Sequence, residues 1–317
     1  MTIDFSPAPI LTSREASLGS LLRLPDSLII ERILILLAPK DLCSLALTSR
    51  YMHVFARNDF VWRRLFFAER DSKSTRLVYR GNWLLTYLFH SPEHDEACSS
   101  HPLVICPVQI QDVSSDYLSL QWHRSNMFFG HFYPPPPISP TPTLGDQHST
   151  GPTIPIEDYQ DLDEDVFYRR YGYPNKPVMI QNSNVESWPA WKQWTLDALA
   201  AKHSDTVFRV SNIESDTKPS FSLCFKDFLH YLKYNRDLNP FYLFDPCFAE
   251  AVPEMGTAYE VPKYFRIDYF SLLKGSARPP YRWILIGPQR TGAPWHIDPS
   301  GTSAWNTLLS GHKRWAL

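Results

Sequence analysis

Residues 134–155 constrain this chain most. Pro134, Pro135, Pro136 and Pro137 run together, and Pro140, Pro142, Pro152 and Pro155 follow with few charges between them. Each proline fixes φ and removes a backbone donor, so such a run enters neither a helix interior nor a central strand. It reads as a semi-rigid spacer or exposed insertion between two globular stretches. A length of 317 residues suits about two domains. Hydrophobic residues make up 44% and aromatic residues 14%, enough for a sizeable core. The net charge is −2 and there is no Lys/Arg-rich run, so no nucleic-acid footprint is indicated. Cys43, Cys98, Cys106, Cys224 and Cys247 are scattered, with no C-x-x-C pair, which suggests neither a disulfide framework nor a zinc site. A reducing compartment is expected. No secretory start and no apolar run of spanning length is present, so the expectation is a soluble, intracellular protein without a membrane partner.

Residues 1–19 are polar, carry Pro7 and Pro9, and are expected to be a flexible tail. Leu24-Pro25 then opens an apolar helix with Leu28, Ile29, Ile33, Leu36 and Leu37 at helical spacing. Pro39 opens a second helix, expected to carry Leu42, Leu45, Ala46, Met52 and Phe55 on one stripe. Asn58-Asp59 caps a third, from Phe60 to Ala68. Three short helices with this Leu-Pro start resemble an F-box, and Gly81-Asn82-Trp83 resembles the tail that follows one. That resemblance spans residues 20–90 and implies docking on a Skp-type adaptor of a cullin ubiquitin ligase. A small helical module packed on the next domain is the plainer alternative. His90, His94, His101 and Cys98 match no zinc spacing and read as a loop. Residues 91–133 form the connecting segment, in which Ser115 to Trp122 resembles a piece bridging the two domains.

After the proline-rich stretch (134–156), residues 157–317 turn globular. The acidic run from Asp158 to Asp165 is expected to open a helix. Strands are expected at Lys176 to Ile180 and Val207 to Val210, a capped helix after Thr195, and an amphipathic helix on Phe225, Phe228, Leu229 and Leu232. Tyr281 to Ile286 has β character and ends at Gly287-Pro288. Beyond the turn lies His296-Ile297-Asp298. On a strand, residues two apart share a face, so the imidazole and the carboxylate can take adjacent positions on one metal. Bare His-x-Asp also fits a structural histidine beside a turn-capping aspartate. Ser303 to Asn306 and Lys313 to Trp315 read as two more short β pieces about Gly311.

This stretch, with Pro240 to Pro253, Val261 to Phe265 and Arg278 to Trp283, resembles the Jumonji-C oxygenases. The branch is that of the bifunctional arginine demethylase and lysyl hydroxylase, and the plant and fungal members carry an F-box. The resemblance implies an α+β chain: a small all-α F-box domain, then a partial double-stranded β-helix of the cupin-like jelly-roll kind with flanking helices. It implies iron(II) held by His296 and Asp298. It implies 2-oxoglutarate contacted by Lys313, Asn306 and Tyr242, and a protein substrate such as a histone or another nuclear protein. A turn amide at Asn306, a core phenol at Tyr242 and a surface lysine at Lys313 are the plainer alternatives. Trp283, Trp295 and Trp305 read as core or pocket wall.

Two departures stand out. Ala293 replaces a hydroxyl residue common three positions before the first ligand, removing a hydrogen bond worth about 0.5–1.5 kcal/mol. The family's third ligand is a downstream histidine, whereas His312 is the sole histidine after Asp298 and adjoins Lys313. The resemblance therefore implies a fragment, a truncated gene product or a domain that never catalyses, with little oxygenase activity in residues 1–317. The rival reading is a non-catalytic F-box substrate adaptor that uses a degenerate Jumonji-C module for recognition.

Overall fold

The computed structural model describes residues 13–71, 73–90, 115–118, 154–212, 220–237, 239–289, 291–293, 296–313 and 315. The connecting segment apart from 115–118, the proline-rich stretch up to 153, His94, Cys98, His101 and Trp295 lie outside these residues. The chain divides into two compact units. The first gathers Met1–Pro136, Val207–Phe244 and Leu285–Thr291; the second gathers Pro137–Thr206, Asp245–Ile284 and Gly292–Leu317.

In the first unit, short polar side chains start the helices. Ser13 caps α1 (Arg14–Leu18) by accepting from the Ala16 amide. These residues were expected within the flexible tail. Instead Leu18 is buried and Arg14 pairs with Asp26 while lying over the Tyr51 ring at 5.5 Å. α2 (Asp26–Leu28) begins directly after Pro25 and continues through a π-turn (Ile29–Ile33) and a 3-10 turn (Leu34–Leu36). Its Ile29, Ile30 and Leu34 are buried, whereas Leu36 is 80% exposed. α3 (Pro39–Ala46) has its proline in the first turn, where the missing N–H costs nothing.

The second expected helix is in fact two. Ser49 accepts from the Met52 amide and starts α4 (Arg50–Phe55), so the apolar stripe from Leu42 to Phe55 is broken by a cap. Asn58 caps α5 (Asp59–Glu69), as the sequence pattern anticipates, and Asn82 caps α6 (Trp83–Leu88). Trp62, Phe67, Tyr79 and Trp83 are fully buried, each burial worth roughly 1.5–3 kcal/mol.

These helices share their core with a strand–helix–strand piece. β3 (Val207–Ser211) runs antiparallel to β4 (Ser220–Cys224), which leads into α10 (Phe225–Tyr234) and then β5 (Tyr242–Asp245). With β6 (Ile284–Ile286) the sheet order is β4-β3-β5-β6. Phe225, Phe228 and Tyr231 line the buried face of α10. The Phe67 ring lies 4.9 Å from Phe221, and Trp83 lies 6.1 Å from Phe241. The Asp227 carboxylate accepts from Arg76 Nε and from the Leu77 amide, at 2.7 and 2.9 Å. Ser115 donates to Asp26 at 2.5 Å and Tyr117 donates to Glu31, so this bridging piece rests on α2 and the turn that follows it.

Asp59 is held at the start of α5 by the Trp83 amide, 2.8 Å away. Burial, and then the neighbouring Asp237 charge, push its carboxyl up to about 7; the Trp83 amide, Arg236 and Arg63 pull the other way. A raised carboxyl favours the protonated folded form. Its contribution is therefore full below the ordinary value of 3.8 and is lost as pH rises through about 7. Stability from urea unfolding should fall between about pH 4 and pH 7 with a component of about 1.4 kcal/mol per pH unit at the steepest, and level off above. Asp59→Asn, which keeps the acceptor for Trp83, should remove that component; an unchanged slope would refute the assignment.

In the second unit, β1 (Ile156–Asp158) and β2 (Met179–Gln181) form a parallel pair, with Ile156 opposite Met179. Asp163 caps α7 (Glu164–Phe167), and Tyr264 stacks on Phe167 at 4.7 Å while donating to the Leu162 carbonyl. α8 (Pro189–Gln193) starts on a proline, and Thr195 caps α9 (Leu196–His203) as expected. α11 (Phe248–Ala251) lies against Trp194, 5.8 Å between rings. A second cluster of Trp188, Ala190 and Ala258 takes in Trp305 and Leu309 from its rim.

The strands expected around His296, from Ser303 to Asn306 and from Lys313 to Trp315 are not formed among the described residues. A strand persists only where a neighbour completes its hydrogen bonds, and here the extension is also interrupted. Pro299 offers no donor, and Ser300 and Gly301 follow in the left-handed region with φ of 62° and 63°. Among the described residues no helix is long and apolar enough to cross a membrane.

Candidate metal and co-substrate site

The loop holding the metal candidates is shaped by a tight turn. The Gly301 amide donates to the Asp298 carbonyl at 2.9 Å, closing the turn through Pro299 and Ser300. Asp298 thus emerges from a fixed corner. His296 Nε2 lies 3.2 Å from Asp298 Oδ1, with their side chains 53% and 39% exposed. Ile297 between them is 87% exposed. The residues therefore meet as the two-apart spacing anticipates, but from a loop and not from a paired strand.

The separation suits a shared ion. Two donors each about 2.1 Å from a metal at roughly a right angle lie about 3 Å apart. Among the described residues no three His, Cys, Asp or Glu side chains converge on one point. His296 and Asp298 thus fit two corners of a metal site, and the described residues do not supply a third. Downstream, Trp305 stacks on Phe265 at 5.8 Å and ties this segment to the second unit's core. Asn306 is exposed. Lys313 is exposed, with its ammonium 4.2 Å from the Trp315 ring centre.

Tyr242 belongs to the first unit. It is buried at the start of β5, opposite Ser211 of β3. Directly opposed residues of an antiparallel pair share a face, which places the Ser211 hydroxyl within reach of the phenol. Burial pushes the phenol's pKa up, and the Ser211 hydrogen bond offsets this in part. Tyr242 is therefore a neutral donor at physiological pH, suited to a carboxylate. Gly287 backs it closely: a Cβ there would lie 2.8 Å from Tyr242 Cβ and 2.4 Å from Thr291 Oγ1. Thr291 Oγ1 donates to the Pro288 carbonyl at 2.8 Å and closes that turn. Of the five candidates, the contact the structure shows is His296 with Asp298. Ser211 escaped the sequence reading, because strand register is what brings it to Tyr242, and Gly287 was read only as a strand-ending turn, because backbone approach is what demands a glycine.

Residues 21–68 match the F-box-like family, and α2 to α5 are its helices. The chain is similar to the lysine-specific demethylase JMJ21 of Arabidopsis thaliana, 36% identical over 304 residues that make up 96% of this chain and 29% of that protein. It is similar to the bifunctional arginine demethylase and lysyl-hydroxylase psr-1 of Caenorhabditis briggsae, 39% identical over 182 residues, or 55% of this chain and 45% of that protein. It is also similar to the 2-oxoglutarate and iron-dependent oxygenase JMJD4 of Gallus gallus, 26% identical over 186 residues, or 53% of this chain and 44% of that protein. The chain thus spans less than half the length of these relatives. An F-box-like match within a chain similar to these demethylases and hydroxylases is the combination consistent with an F-box Jumonji-C protein.

Proposed function

We propose that this chain belongs to an iron(II)- and 2-oxoglutarate-dependent oxygenase that hydroxylates or demethylates a protein side chain and docks through its F-box. The observation that carries the reading is the His296–Asp298 pair at 3.2 Å, inside a sequence motif of the Jumonji-C kind. The names of the relatives support the same chemistry. In this reading the segment folds toward a double-stranded β-helix, and His296 and Asp298 would hold the iron. Held there, iron(II) would supply oxygen activation, with 2-oxoglutarate as the electron source. Tyr242 donates a hydrogen bond to a co-substrate carboxylate, Lys313 supplies a positive charge to it, and Asn306 offers an amide. Ala293 offers no hydroxyl, which weakens co-substrate binding without removing it. The substrate is a histone or another nuclear or cytoplasmic protein. The test is succinate formation from 2-oxoglutarate by the full-length product of the gene, with iron(II) and ascorbate. A product that folds but never forms succinate would overturn the proposal.

A second reading keeps the chain as a non-catalytic substrate adaptor of a cullin ubiquitin ligase. The observation favouring it is the leucine surface of the F-box-like helices, where Leu22, Leu28, Leu36 and Leu47 are all exposed. Docking on a Skp-type adaptor is common to both readings. Replacing Leu24 and Pro25 together with alanine should abolish co-purification with such an adaptor while the folded signal persists. Undiminished binding would remove the F-box role.

A further inference from the structure

We infer that Arg63, a residue of the F-box-like helix α5, is a positioning residue for Tyr242. The inference rests on the reading of Tyr242 as a co-substrate contact. Arg63 and Asp237 form a buried ion pair, their side chains 4% and 3% exposed, with Nη1 3.2 Å from Oδ2. The same Nη1 donates to the Asn239 carbonyl at 2.9 Å, in the loop leading into β5. Nη2 donates to Asn212 Oδ1 at 2.7 Å, on the residue that follows Ser211 at the end of β3. The guanidinium lies 5.6 Å from the Phe241 ring centre, one residue before Tyr242, and the same distance from Trp83.

One planar fork thus grips both strands beside the register pair of Ser211 and Tyr242, where the β3–β5 ladder ends. Strand ends fray unless something replaces the missing ladder bonds, and Arg63 supplies that replacement from a helix far away in sequence. The ladder cannot shift without breaking Arg63's bonds to Asn212 and Asn239. Phe241 is further fixed by stacking on Tyr231 at 3.4 Å, and its amide donates to the Tyr231 hydroxyl. Tyr231 in turn donates to Asp237. The F-box-like helix α5 therefore braces the strand end that carries Tyr242.

The experiment uses the full-length gene product with two substitutions. Arg63→Lys keeps a cation for Asp237 but lacks the fork that spans Asn212 and Asn239. Asn212→Ala removes one contact and is the milder variant should the first fail to fold. Native-state hydrogen exchange should accelerate more than tenfold at Tyr242 and Leu243 in either variant, with the β3–β4 amides at Phe208 and Leu223 unchanged. The dissociation constant of 2-oxoglutarate, titrated in the presence of manganese(II), should rise at least tenfold for the folded fraction. It should rise no further when Tyr242→Phe is added. Unaltered exchange at Tyr242 and Leu243, or uniform acceleration throughout the sheet, overturns the inference. So does weaker binding in Tyr242→Phe with wild-type binding in Arg63→Lys. If Tyr242→Phe binds as wild type while the exchange effect is present, the co-substrate reading of Tyr242 falls and the mechanical role of Arg63 stands.

Discussion

Replacing His296 with alanine is expected to abolish metal-dependent binding of 2-oxoglutarate. His296 and Asp298 are the two donors that the structure brings to 3.2 Å. Loss of even an outer partner of a metal ligand costs about 10–100-fold in affinity, so loss of a ligand should exceed about 100-fold. Titration of manganese(II), followed by the resonance of the free ion, measures the loss directly in the full-length product. Asp298→Asn keeps an oxygen donor but removes its charge, and should weaken binding less. Wild-type metal affinity in His296→Ala would remove the histidine from the chemistry altogether.

Asp237→Ala should destabilise the first unit by about 3–5 kcal/mol, the cost of leaving a buried partner charge uncompensated. Asp237 accepts from Arg63 at 3.2 Å, from Trp83 Nε1 at 2.7 Å and from the Tyr231 hydroxyl. These donors come from α5, α6 and α10, so one truncation strands three buried groups at once. Asp237→Asn keeps an acceptor and should cost less. Paired replacement of Arg63 and Asp237 by apolar residues should recover much of the loss, because neither charge is then left alone. Urea unfolding followed by tryptophan fluorescence reads all three variants. A shift in Asp237→Ala of under about 1 kcal/mol would mean that the network is not the brace its burial implies.

Local signals in the sequence were the readable ones. Asn58 and Thr195 cap helices where short polar side chains precede apolar runs, and Pro39 sits in a first turn. The break between α3 and α4 was hidden by a continuous apolar stripe, although Ser49 carried the signal of a cap. Two-residue spacing correctly paired His296 with Asp298 but suggested the wrong backbone, because Pro299 and Ser300 bend the chain out of extension. The Arg63 network was illegible for a different reason. Its partner Asp237 is 174 residues away, and neither residue type announces burial on its own. Strand register had the same character: Ser211 meets Tyr242 only once β3 and β5 have paired.

The close approach at Gly287 has a consequence in genetic terms. Every amino acid other than glycine carries a Cβ, and here that atom would lie 2.8 Å from Tyr242 and 2.4 Å from Thr291. No missense change of codon 287 is therefore silent to the wall behind Tyr242, whatever the chemistry of the new side chain. In a saturation library selected for function, this column should empty as a block, alanine and serine along with tryptophan. Neighbouring turn positions should instead thin out by size and polarity. A codon that tolerates nothing usually announces a reacting group; this one would announce a missing atom.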